Sequence, residues 1–347
     1  MKKVFGTCIV LAFICASTIH VRAQGSVTRS AARETARPMV LTEAIPLENA
    51  RGRFDHFAFG EGRLYVSELG TNAVAVINIG ARVVEHIIEG VPYPQGVVFS
   101  PQANKVFVAS GAGKLYVYDG KSHALITTVD FEGGADNLRY DANSKRVYVG
   151  CGDSKATGAI VAVDAMTNQR LDEEYKLGGE PESFQLEKAG PNIYVNVPEL
   201  KQIVVINRTT KSIMRWPLDD VSSNFPMALD EADHRLFVGT RTPARLAVFD
   251  TTSGHMIVAL PGVLDTDDLY YDADRKRVYM PGGEGFIDIF QMKTPDNYEL
   301  LAKVSTALGA RTAGYFGKQG KGFDRFYVAV PTRGRQTAEI RIYTVQD

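Results

Sequence analysis

The sequence predicts an all-β fold, a seven-bladed β-propeller of four-stranded blades closed by an N-terminal strand. Three observations carry this. An aliphatic residue, an aromatic one, then Val or Met recurs seven times: Leu64-Tyr65-Val66, Val106-Phe107-Val108, Val147-Tyr148-Val149, Ile193-Tyr194-Val195, Leu236-Phe237-Val238, Val278-Tyr279-Met280 and Phe326-Tyr327-Val328. The aromatics are 42, 41, 46, 43, 42 and 48 residues apart, the period of four-stranded blades at about 40–45 residues. Helical repeats of similar length need apolar residues at 3.6-residue spacing, and that pattern is absent.

Each unit reads as four strands in order. The innermost is short, as in Gly96-Val97-Val98-Phe99 and Asn137-Leu138-Arg139-Tyr140. A polar turn such as 141–145 or 272–276 leads into the aromatic strand. The third strand alternates and ends in Asp or Asn (Asn78, Asp119, Asp164, Asn207, Asp250), whose short side chains bond the backbone two residues on. The fourth is the most polar, as an outer edge strand should be. Blade seven has a third strand at 339–343 and little chain after it, so its fourth must come from elsewhere. Residues 40–45, Val-Leu-Thr-Glu-Ala-Ile, have strand character and no blade of their own. Pairing the two segments closes the ring and removes the open edges.

Ahead of the propeller (residues 40–347), Met1-Lys2-Lys3, an apolar stretch to about Val21 and small residues at Val21 and Ala23 describe a secretory signal peptide over 1–23, with cleavage near Ala23. Residues 24–38 read as a loose tail. The expected mature chain starts at Gln24, is periplasmic or secreted, and has no membrane span, since no other apolar run is long enough. It would carry 36 basic and 40 acidic residues, a balance without the clustered positive charge that nucleic acid requires. Cys8 and Cys15 leave with the leader, so Cys151 stands alone and stability must come from burial.

The Tyr-Val element resembles the YVTN-repeat family of β-propellers over roughly residues 40–347. That resemblance implies an exported propeller and says little about activity. The family's asparagine is replaced here by Glu68, Ser110, Cys151, Val197, Thr240, Gly282 and Val330.

Aligning the seven units on their first strands places Asp55, Gln95, Asp136, Glu182, Phe225, Asp267 and Arg311 at one position. The next holds His56, Gly96, Asn137, Ser183, Pro226, Asp268 and Thr312. In a propeller such a position forms a ring about the axis, and residues that differ between otherwise similar blades mark a ligand site. His56, Gln95, Asn137, Asp268 and Arg311 are the expected ligand-binding residues. Asp55, Asp136, Glu182 and Asp267 are the expected metal ligands, because converging acids must be protonated, paired or neutralised by a cation. An oxygen-rich set favours Ca²⁺ or Mg²⁺. Arg311 would then hold an anionic ligand group, or without a cation pair with one of the acids, most simply Asp55. The bland alternative is a wet polar channel whose acids cap loops. Glu68, Asn196 and Arg241 follow second strands and face the same side, where they contact a ligand or rim the face. His86, His123, His234 and His255 read as surface, and Cys151 as a small buried residue.

No C-x-x-C-H, G-x-S-x-G elbow or P-loop occurs. Quinoprotein dehydrogenases share the architecture but carry repeated tryptophan motifs, and Trp216 alone occurs here. Two functions compete. One is a non-catalytic binding propeller that holds a small ligand or protein partner on its axial loop face. The other is a divalent-metal-dependent hydrolase, lactonase or lyase, similar to the gluconolactonase/regucalcin-type and virginiamycin-lyase-type propellers in placing a cation at the axial mouth.

Overall fold

The computed structural model describes residues 37–318 and 324–347; the expected signal peptide and nearly all of the 24–38 tail lie outside them. Strand β1 (Met39–Pro46) precedes the blades. Blade one is β2 (Phe57–Gly60), β3 (Arg63–Glu68), β4 (Ala73–Asn78) and β5 (Val83–Glu89). Blade two is β6 (Pro94–Ser100), β7 (Lys105–Ser110), β8 (Lys114–Asp119) and β9 (Leu125–Asp130). Blade three is β10 (Ala135–Asp141), β11 (Arg146–Cys151), β12 (Ala159–Asp164) and β13 (Arg170–Lys176). Blade four is β14 (Phe184–Leu186), β15 (Asn192–Val197), β16 (Gln202–Asn207) and β17 (Ile213–Pro217). Blade five is β18 (Ser222–Asp230), β19 (Arg235–Thr242), β20 (Ala244–Asp250) and β21 (Met256–Pro261). Blade six is β22 (Tyr270–Asp272), β23 (Arg277–Gly282), β24 (Phe286–Thr294) and β25 (Asn297–Ser305). Blade seven is β26 (Ala313–Tyr315), β27 (Arg325–Val330), β28 (Glu339–Val345) and β1.

The ring closes as the sequence predicts. β1 pairs antiparallel with β28, matching Val40 to Thr344, Leu41 to Tyr343 and Ile45 to Ile340, with a bulge between Leu41 and Glu43. Beyond the strands, the Gln346 amide donates to the Pro38 carbonyl at 2.9 Å. The last blade therefore draws strands from both ends of the described chain, and no β28 edge is left unpaired.

Two-residue alternation along the aromatic strands builds the core. Tyr65 packs with Val74, Val97 and Val108 between blades one and two. Its neighbours Leu64 and Val66 pack with Ile340, Ile342 and Tyr327 between blades seven and one. Each blade thus buries both faces against its neighbours, while the fourth strands alternate with solvent, as in β5. The carboxamide and carboxylate caps form as expected. Asp119 Oδ1 accepts from the Lys121 and Ser122 amides at 3.0 and 2.7 Å. Asp164, Asn207 and Asp250 repeat this, and Asn78 takes the Ala81 amide. The residue leaving each turn has positive φ, at Arg82, His123, Asn168, Lys211 and Gly254. His86, His234 and His255 are exposed, whereas His123 is half-buried, stacked on His86 with ring centroids 4.9 Å apart.

Candidate functional site at the axial mouth

The innermost strand of each blade lies at the axis, and a local irregularity at its start aims the site. β6, β10 and β18 bulge between Pro94 and Val97, Ala135 and Leu138, and Asn224 and Met227. A bulge lets two consecutive residues escape the strand's alternation. Gln95, Asp136, Asn137 and Phe225 sit in these segments. Close packing fixes the exception: a Cβ on Gly96 would stand 2.4 Å from the Asp136 carbonyl oxygen of the next blade, so this position accepts only glycine.

All seven residues of the first register position, Asp55, Gln95, Asp136, Glu182, Phe225, Asp267 and Arg311, line one cavity of about 220 Å³. His56, Asn137 and Ser183 of the second position join them. His56 also lines a cavity of about 560 Å³ running along the channel behind it, as does Asp268. His56 thus stands between the mouth and the channel.

Its ring is held from both sides. Nδ1 lies 3.2 Å from Asp268 Oδ1, and Asp268 Oδ2 accepts the Ala313 amide at 2.8 Å. Nε2 faces the mouth, 3.4 Å from Asp55 Oδ1 and 4.0 Å from Asp136 Oδ1. One donor atom from each of Asp55, His56 and Asp136 lies within 4.8 Å of the others. Burial pushes Asp55 up to about 7, Asp136 and Asp267 add to it, and His56 and Arg53 oppose. Burial works against the His56 charge, but Asp55 and Asp268 outweigh it and raise the imidazole to about 10. Burial also lifts Asp136, and it lifts Glu182 well above the usual carboxylate range, reinforced by Asp136 and Asp267. Two further groups lack partners. Asn137 is 2% exposed, and its Oδ1, like Oε1 of Gln95, is buried with no hydrogen bond among the described residues.

The structure changes four sequence expectations. Asp267 does not join the metal-capable group: Arg241 Nη2 bonds its Oδ1 and Arg311 Nε stands 2.8 Å from Oδ2. Arg311 is not free for an anion and does not pair with Asp55, because Asp267 and Asp265, the latter at 2.8 Å, occupy it. Asp268 faces the channel rather than the mouth, since alternation turns it away from its neighbour, and its two oxygens hold His56 and Ala313. Glu182 lines the mouth but stands outside the three-donor group.

The sequence reading missed Arg53 and Glu180, which complete the lining together with Arg241, expected on this side. Arg241 bonds the Thr266 carbonyl at 2.9 Å and lies over the Phe225 ring, 3.8 Å from its centroid. Its place after a second strand was the available signal. Of the other two residues so placed, Asn196 is fully buried and donates to the Phe225 carbonyl at 2.9 Å. Glu68 is buried and lines a groove beside β1.

Comparison with known proteins adds a family signal and a fold. A family model described as Arylesterase matches residues 58–172, which cover blades one to three almost entirely. The match contains Gln95, Asp136 and Asn137 and begins two residues after His56. No curated protein matches the chain. Among solved structures, a chain of a mitotic checkpoint complex is similar at TM-score 0.74 and 11% identity, covering 98% of this chain and 99% of that one. Hydrazine synthase of Kuenenia stuttgartiensis is similar at TM-score 0.68 and 14% identity, over 81% and 94%. Such identities speak for the fold alone. The chain is a seven-bladed β-propeller that is arylesterase-like over about a third of its length.

Proposed function

We propose that this propeller hydrolyses a small ester or lactone at its axial mouth with the help of a divalent cation held by Asp55, His56 and Asp136. The observation that carries this reading is the convergence of those three donors around His56 Nε2. Ligands at about 2.0–2.2 Å from one ion stand roughly 3 to 4.4 Å apart, and the two measured separations, 3.4 and 4.0 Å, fall in that span. Asn137 Oδ1 offers a neutral oxygen beside them. The imidazole moves the preference from Ca²⁺ or Mg²⁺ towards Mn²⁺ or Zn²⁺.

A bound cation would polarise the carbonyl and acidify a water. The chain's own groups supply the rest. With a cation bound, His56 would give up its charge, its Nδ1–H donating to Asp268 and its Nε2 lone pair facing the mouth, the usual support of a ligating histidine. Glu182, whose carboxyl burial lifts well above its ordinary range, is the acid at the mouth placed to deliver a proton to a leaving alkoxide. Arg241 and Arg311 pair with Asp267 at the rim. The arylesterase match supports ester chemistry. The YVTN resemblance and the leader-like residues 1–23 support action outside the cytoplasm.

A non-catalytic binding propeller is the second reading. It is favoured by the guanidinium groups of Arg53, Arg241 and Arg311, which offset part of the acidic charge without any ion. A screen of aryl esters and lactones separates the two. The hydrolase reading expects turnover that a chelator removes and Mn²⁺ or Zn²⁺ restores. It also expects His56→Gln to lower kcat/KM by at least about 100-fold. Turnover that survives chelation, or no turnover with any ion, contradicts it.

A further inference from the structure

The channel cavity behind His56 differs in character from the mouth. Its volume of about 560 Å³ lies within the range of small-molecule pockets, about 300–1,000 Å³. Eight of its lining residues are aromatic, Phe99, Tyr270 and Phe316 among them. It holds one acid, Asp268, whose two oxygens are already engaged by His56 and the Ala313 amide. Against that acid stand Arg139 and, at an exposed position, Lys188.

Arg139 is placed unlike the arginines of the mouth. Arg53, Arg241 and Arg311 each contact a carboxylate. Arg139 instead donates to neutral oxygens, the Leu138 carbonyl at 2.8 Å and the Ser183 hydroxyl at 3.1 Å, and its guanidinium lies over the Phe184 ring at 5.3 Å. Those contacts fix the side chain and use two of its five N–H donors. Burial draws the group below its ordinary range, with Tyr270, Asp268 and Asp136 opposing. A half-buried cation held in place by neutral partners, with donors to spare, suits a planar anion that accepts two of them at once.

We propose that the channel cavity binds an organic carboxylate, its anionic group on Arg139 and its apolar body against Phe99, Tyr270 and Phe316. The cavity shares His56 and Ser183 with the mouth, so the inference rests on the axial-site reading to this extent: it makes the substrate of the mouth an anionic one, or the channel the seat of the released acid. Binding itself needs no metal, which allows a separate test.

The test uses the full chain in excess chelator, with phenylacetate as probe and phenylacetamide as its neutral counterpart, both followed by calorimetry. Phenylacetate is expected to bind saturably and at least ten-fold more tightly than the amide. Arg139→Met should abolish that preference, and Arg139→Lys should keep part of it, because a point charge replaces the fork. The lysine variant also controls for loss of the native fold, monitored by its melting temperature. Equal affinity for the two probes, no binding of phenylacetate, or an unchanged preference in Arg139→Met overturns the proposal. Because a chelator is present throughout, none of these results bears on whether the mouth binds a cation.

Discussion

His56 owes its orientation to a chain of three groups: the Ala313 amide fixes Asp268, Asp268 fixes Nδ1, and Nε2 is left facing two carboxylates. Asp272 is a buried carboxylate outside the axial mouth. It is 4% exposed and accepts from the Tyr315 and Tyr279 hydroxyls at 2.8 and 3.1 Å and from Arg275 at 3.0 Å. Burial opposes its charge, but these bonds win and hold the carboxyl below its ordinary value of 3.8. A carboxyl lowered by folding stabilises the protein above its unfolded pKa and loses that contribution as pH falls through the folded one. Asp272→Asn should therefore cost about 2–4 kcal/mol at pH 7. The variant should also lose less stability than the parent between pH 5 and pH 3, as urea titrations at each pH will read. Cys151 illustrates the inert case. It is 4% exposed, and burial pushes its thiol up to about 11. A thiol reagent at pH 8 should leave it untouched in the native protein and modify it after denaturation.

Elements carry the closure of the ring. β1 presents Ile45, 3% exposed, to a cluster containing Ile340, Ile342 and Tyr327, whereas Leu41 on the same strand is 47% exposed. Ile45→Ala should cost about 2–4 kcal/mol, and Leu41→Ala less than about 0.5 kcal/mol. Equal effects in chemical denaturation would mean that β1 does not seal blade seven. This pairing was legible in the sequence because a repeat makes an absent strand conspicuous, and 40–45 was the segment left over. The Asx-ended third strands were legible for the same reason. The inward direction of individual side chains was less so. A bulge releases consecutive residues from alternation, so Asp136 and Asn137 of β10 both reach the mouth, whereas Asp267 and Asp268 alternate and Asp268 turns into the channel. Arginine pairings were not legible either, since a long side chain can choose among several acids: Arg311 reaches Asp265 and Asp267 rather than Asp55.

At the scale of the whole molecule, the repeat register gathers residues 256 positions apart in sequence, Asp55 and Arg311, into one cavity. The ring has two halves of different chemistry. Arg241, Arg311 and Asp267 form a self-compensated side, whereas Asp55, His56 and Asp136 form a side with donors turned towards each other. A cation at the second side is the central claim, and titration of chelator-treated protein with Mn²⁺ and Zn²⁺ tests it most directly. One equivalent should bind. Asp55→Asn and Asp136→Asn should each weaken binding at least ten-fold, and Asp267→Asn less than three-fold. Absence of binding by either ion, or binding that depends on Asp267 and ignores Asp55 and Asp136, would contradict the account.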